Sequence, residues 1–170
     1  MTSDREAFPY GVDVKQYTQK SLHERLGYVP QTSIIFSGSV AENVNYGDSS
    51  AKRTEEDVHR ALRIAQAEDF VEKMPEKEGS HVSQQGKNVS GGQKQRISIA
   101  RAVCKNPEIY LFDDSFSALD YKTDKQLRDA LRRETKGSTV IIVAQRIGTI
   151  RDADEILVLD EGRVAGLGTH

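Results

Sequence analysis

The chain has 170 residues, a formal net charge of −2 and a single cysteine, Cys104. That length fits one domain, or one with an inserted subdomain, and suffices for a sizeable core. The balanced charge excludes a broad basic surface for nucleic acid, the lone cysteine excludes an internal disulfide, and no apolar run approaches the roughly 18 residues of a membrane span.

In chain order, Leu26-Gly27-Tyr28-Val29 predicts a short buried strand closed by Pro30-Gln31. A helical middle opens with a polar, glycine-punctuated stretch from Ser37 to Ser50. Thr54 and Asp57 have capping-box spacing, and Val58, Ala61, Leu62 and Ala65 form one apolar stripe. Met74-Pro75 is expected to end that helix, and a polar linker from Glu76 to Asn88 leads to Ser90. Ile97, Ala100 and Cys104 then share one helical face, which stops at Asn106-Pro107. Ile109 to Phe112 is continuously apolar, the pattern of a strand buried on both faces.

Leu127, Ala130 and Leu131 mark a further helix, ended by Gly137. Thr139 to Ala144 and Glu155 to Leu159 predict two more apolar strands, and Asp160-Glu161-Gly162-Arg163 a hairpin turn into Val164-Ala165. Strands separated by helices imply an α/β fold with right-handed crossovers and a mainly parallel sheet.

The chemistry concentrates in two places. Ser90-Gly91-Gly92-Gln93 combines capping-box spacing with two glycines at a helix start. A capping box alone is ordinary structure. Glycine, however, costs about 1 kcal/mol per position within a helix. Without side chains, Gly91 and Gly92 let an anion approach the free N–H groups and the positive end of the helix dipole. Asp113 and Asp114 then end an apolar strand, where ligands sit in open α/β sheets. A single such Asp is commonly a helix N-cap. Two adjacent carboxylates repel unless a cation or a shared proton relieves them, which points to Mg²⁺ at Asp113 and to Asp114 orienting an attacking water. No phosphate loop of the form G-x-x-x-x-G-K-S/T occurs in the 170 residues.

These motifs together resemble the ATP-binding-cassette (ABC) family over residues 11–170. Ser90-Gly91-Gly92-Gln93 matches its signature, Pro30-Gln31 its glutamine loop, Ile109 to Asp113 its Walker B strand, and Ser117-Ala118-Leu119-Asp120 its D-loop. Phe36-Ser37-Gly38-Ser39-Val40-Ala41-Glu42-Asn43-Val44 resembles the segment after the glutamine loop in exporter-type members, and Ser83 to Gly86 the place where those members meet their coupling helices. The resemblance implies an incomplete P-loop NTPase (RecA-like) core over about 107–170, with an inserted α-helical signature subdomain over about 38–106. ATP and Mg²⁺ are the implied cofactors. Gln31 would reach Mg²⁺ and the attacking water, Asp113 would hold the metal, and Asp114 would be the catalytic carboxylate. Ser90, Gly91, Gly92 and Gln93 would serve the γ-phosphate of a nucleotide held mainly by a second nucleotide-binding domain, with Asp120 crossing that interface. Transmembrane-domain coupling helices are the other implied partner, nucleic acid is not one, and the implied location is the cytoplasmic face of the cell membrane.

Three departures qualify the resemblance. The catalytic carboxylate, usually Glu, is Asp114, and the switch histidine is replaced by Gln145, which cannot carry a proton as imidazolium. Together these resemble the slow, degenerate half of heterodimeric exporters, whose partner is a different subunit with a competent site. Residues 1–10 match nothing in the family, while Gly11-Val12-Asp13-Val14 resembles the strand region after the phosphate loop. A C-terminal fragment of an exporter subunit is therefore expected, with apolar strands left partly uncovered. The alternative is a non-catalytic remnant that at most lends its signature to a partner. A chromosome-maintenance or DNA-repair ATPase would share the motifs but calls for a heptad coiled coil and a basic face, and the sequence has neither.

Overall fold

A computed structural model describes residues 11–47 and 53–170, so the expected 1–10 segment and the end of the Ser37–Ser50 stretch lie outside the described residues. The central sheet is three-stranded, in the order β1 (Leu26–Val29), β4 (Ile109–Asp113) and β5 (Thr139–Val143). Both pairings are parallel, with Gly27 opposite Tyr110 and Phe112 opposite Ile142. This is the expected α/β core, and its strands are joined by helical crossovers as parallel strands require.

Between β1 and β4 the chain is mostly helical. This stretch holds α2 (Val40–Val44), α3 (Glu55–Ile64), α4 (Glu68–Val71) and the long α5 (Gly91–Lys105). The expected Thr54–Asp57 capping box is present on α3, whose stripe residues Val58, Ala61, Leu62 and Ala65 are all buried. That helix stops at Ile64, well before Met74-Pro75. The reason is a Schellman turn: Gln66 takes a left-handed φ of 55°, its N–H donates to the Arg63 carbonyl, and the Ala67 N–H donates back to Leu62.

The expected polar linker also carries structure. Its strand β3 (His81–Val82) pairs antiparallel with β2 (Gly38–Ser39), and Gln84–Gly86 forms a 3-10 turn. Gly11 to Val14 is not a strand: Val14–Gln16 is a 3-10 turn capped by Asp13. The short helix α1 (Gln19–Arg25) then runs into β1.

The core collects Val29, Ile97, Ile99, Tyr110, Phe112 and Leu127, each nearly or fully inaccessible. The strand expected to be buried on both faces alternates instead. Tyr110 and Phe112 are buried, while Ile109 and Leu111 are only partly so. Strand β5 is more open still, with Ile141 48% and Val143 51% exposed.

The third expected strand, β6 (Ile156–Asp160), joins no central strand among the described residues. It pairs antiparallel with β7 (Arg163–Gly168) through the expected turn, where Glu161 and Gly162 both have positive φ. Its Leu157, Val158 and Leu159 are all more than half exposed. An apolar run marks a strand, but not whether a second layer packs over it.

Candidate functional site

Helix α5 begins at Ser90, whose hydroxyl accepts from the Gln93 N–H at 3.2 Å while the Gln93 side chain accepts from the Ser90 N–H at 2.8 Å. The Lys94 N–H donates to the Ser90 carbonyl and starts the helical ladder. A helix leaves its first four N–H groups without internal partners. The reciprocal cap uses those of Ser90 and Gln93, while those of Gly91 and Gly92 have no partner among the described residues. A Cβ on Gly92 would meet the Ala118 carbonyl oxygen at 3.3 Å, so this turn packs closely on the segment 117–120. A Cβ on Gly91 would meet nothing within 4 Å.

The carboxylates stand at the end of β4. Asp113 is its last residue, opposite Val143, and its Oδ2 accepts from the Tyr28 hydroxyl at 3.3 Å. Burial and the neighbouring Asp113 carboxylate both push the Tyr28 phenol above its ordinary pKa. Asp114 leaves the strand with a left-handed φ of 45°, a conformation that Asp tolerates better than most residues. Its N–H donates to the Val143 carbonyl, and its side chain accepts from the Gln31 carboxamide at 3.3 Å. Neither carboxylate caps the following helix. That cap is Asp120, which accepts from the Thr123 N–H and hydroxyl ahead of α6 (Tyr121–Glu134). Those hydrogen bonds hold the Asp120 carboxyl below its ordinary pKa.

The fold thus brings Gln31 to Asp114, and a groove lined by residues 31–35, Gln85, Gly91 and Lys94 joins the Gln31 loop to the start of α5. It does not join Gln145 to them. Gln145 is exposed just beyond β5, with no hydrogen bond to Gln31, Asp113 or Asp114 among the described residues. Its neighbour Arg146 donates to the Ser117 carbonyl at 2.9 Å, ahead of the short helix α7 (Ile147–Ile150). Sequence reasoning passed over Tyr28, Lys94 and Gln95, because each meets the site through a contact distant in sequence or through loop packing. The donor set suits Mg²⁺ and phosphate: carboxylate and carboxamide oxygens fit a hard cation, and glycine N–H groups fit an anion.

A parallel α/β core with strand-end carboxylates beside Gln31, and a glycine-opened helix between β1 and β4, fits an ABC-type P-loop ATPase fold. The ABC transporter family model matches residues 6–117, and the chain belongs to that family. It is 45% identical to an uncharacterised ABC transporter ATP-binding protein of Mycobacterium tuberculosis, over 94% of this chain and 27% of that protein. It is 42% identical to an ATM1-type heavy metal exporter of Novosphingobium aromaticivorans, over 94% of this chain and 26% of the exporter. The solved structure of a bacterial Atm1-family ABC exporter with ATP bound superposes with a TM-score of 0.89 at 40% identity, covering 94% of this chain and 28% of that one. The chain thus spans about a quarter of the length of these relatives.

Proposed function

We propose that the chain is nucleotide-binding sequence of an ABC exporter, working at the cytoplasmic face of a membrane, and that its main contribution is a signature for ATP held by a second nucleotide-binding domain. The observation that carries this reading is the α5 cap, which spends Ser90 and Gln93 on each other and leaves the Gly91 and Gly92 N–H groups without a partner among the described residues. Asp113 would hold Mg²⁺, which neutralises phosphate charge when bound. Gln31 would share that ion, and Asp114 would orient the attacking water. Asp120, fixed by Thr123, would stiffen the D-loop where it meets the other domain. Gln145 would stand at the γ-phosphate without the proton chemistry of histidine. The exposed Ile34 and Tyr46 and the turn at Gln85 would face the coupling helices of a transmembrane domain.

A non-catalytic, partner-completing module is the second reading. The Asp114–Gln145 pair favours it. Calorimetric titration of the 170-residue polypeptide with Mg-ATP tests the division of labour. With two glycine N–H groups but no phosphate loop, no affinity tighter than millimolar is expected. Micromolar binding would show that the chain grips a nucleotide by itself and would overturn the reading.

A further inference from the structure

Gln95 lies one turn inside α5 and is only 3% exposed. Its carboxamide nitrogen donates to the Pro30 carbonyl at 3.3 Å, and its carboxamide oxygen accepts from the Ser33 hydroxyl. These two anchors bracket Gln31 and Thr32, and Gln31 in turn donates to Asp114 at 3.3 Å. Ten residues after Ser90's first turn begins, the same helix grips the next part of the segment. Half-buried Arg101 donates to the Ile34 carbonyl at 2.9 Å and the Asn43 carbonyl at 2.7 Å. Asn43 closes that grip by donating to the Phe36 carbonyl and accepting from the Phe36 N–H. Helix α5 is continuous from Gly91 to Lys105, so the signature turn and both grips belong to one rigid element.

We propose that Gln95 is a positioning residue: it ties the signature helix to the glutamine loop, so that a γ-phosphate engaging Gly91 and Gly92 shifts where Gln31 stands relative to Asp114. The proposal rests on the reading of the chain as one half of a composite nucleotide site. Its chemical basis is that one buried side chain must donate to a carbonyl and accept from a hydroxyl at once, which a carboxamide does. Methionine would fill the same space and make neither bond. Glutamate would keep the Ser33 bond and set a carboxylate against the Pro30 carbonyl. Leaving the Pro30 carbonyl unpaired costs more than losing an exposed hydrogen bond, so the loop should detach rather than stay in place.

Two measurements test this. In the 170-residue chain, ¹⁵N relaxation should give rigid order parameters near about 0.85 at Thr32 and Ser33, falling below about 0.6 in Gln95→Met while Asn43 stays rigid. In an assembled exporter, a trifluoromethyl label at Thr32→Cys should shift its ¹⁹F resonance on addition of ATP. Gln95→Met and Gln95→Glu should each remove most of that shift, and Ser33→Ala about half. Adding Ser33→Ala to Gln95→Met should change nothing further, because the two side chains act as one link. Unchanged loop order in Gln95→Met overturns the proposal, as does an assembly that hydrolyses ATP with the ¹⁹F shift absent or unaffected by the substitutions. An assembly that neither binds nor hydrolyses ATP instead overturns the underlying functional reading, and the coupling role falls with it.

Discussion

Gly92→Asp should lower ATP hydrolysis by an assembled exporter about 10²- to 10³-fold, the size of loss typical when electrostatic stabilisation of a developing oxyanion is spoiled. Gly92 sits in the first turn of α5, where its N–H has no partner among the described residues. A carboxylate there would stand beside the γ-phosphate, and two like charges brought together away from bulk water repel strongly. The added Cβ would also meet the Ala118 carbonyl at 3.3 Å, pressing the signature turn off the D-loop segment. Gly92→Ala separates the two causes. It brings the same Cβ contact without the charge, and should cost much less. Asp114→Asn is the second contrast and should cost little if, as proposed, Asp114 and Gln145 form a degenerate site. Steady-state hydrolysis of the three variants at saturating Mg-ATP gives the comparison. Activity near the parent level in Gly92→Asp would end the cross-subunit assignment.

The second large effect runs the other way. In a subunit of its relatives' length that carries a phosphate loop, Asp114→Glu with Gln145→His should raise hydrolysis at this subunit's own site by about 10- to 100-fold, within the range that positioned acid–base groups supply. Asp114 accepts from Gln31 at 3.3 Å, and its carboxylate is one methylene shorter than that of a glutamate. Gln145 is exposed beyond β5 and has no side-chain hydrogen bond among the described residues, so histidine can replace it there without breaking one. One term opposes the gain. Asp114 has a φ of 45°, and Glu adopts this left-handed conformation less readily than Asp. The double variant should therefore exceed Gln145→His alone by less than side-chain reach would suggest. Rates measured against a partner with a disabled site give the answer, and a double variant as slow as its parent would show that these two residues do not limit the reaction.

What was legible in the sequence was mostly local. The caps at Thr54–Asp57 and Ser90–Gln93 and the turn at Glu161-Gly162 depend on side chains a few positions apart, and all three are formed. The same logic applies to the Ser39–Glu42 box that opens α2, yet its glycine-punctuated setting hid a five-residue helix. The end of α3 was misplaced because Pro75 is a visible helix breaker, whereas Gln66 in a left-handed turn has no distinctive composition. Burial was legible on the helices but not on β5 and β6. A helical stripe identifies its inward face, while a uniformly apolar strand looks the same whether or not a layer covers it.

Site residues followed the same divide. Asp113, Asp114 and the glycine pair announce themselves by type and spacing. The contact of Gln31 with Asp114 and the hold of Gln95 on the Gln31 loop join residues more than 60 positions apart, and only the folded chain shows them.

The central claim is that Ser90–Gln93 of this chain reads the γ-phosphate of a nucleotide held by another domain. ATP carrying a photoreactive group on its γ-phosphate, bound to the assembled exporter and irradiated, tests it by mapping the labelled peptides. Label is expected on this chain within residues 90–94, dependent on an intact phosphate loop in the partner and abolished by Gly92→Asp. Label that persists here after the partner's phosphate loop is inactivated, or that reaches only the partner, would contradict it.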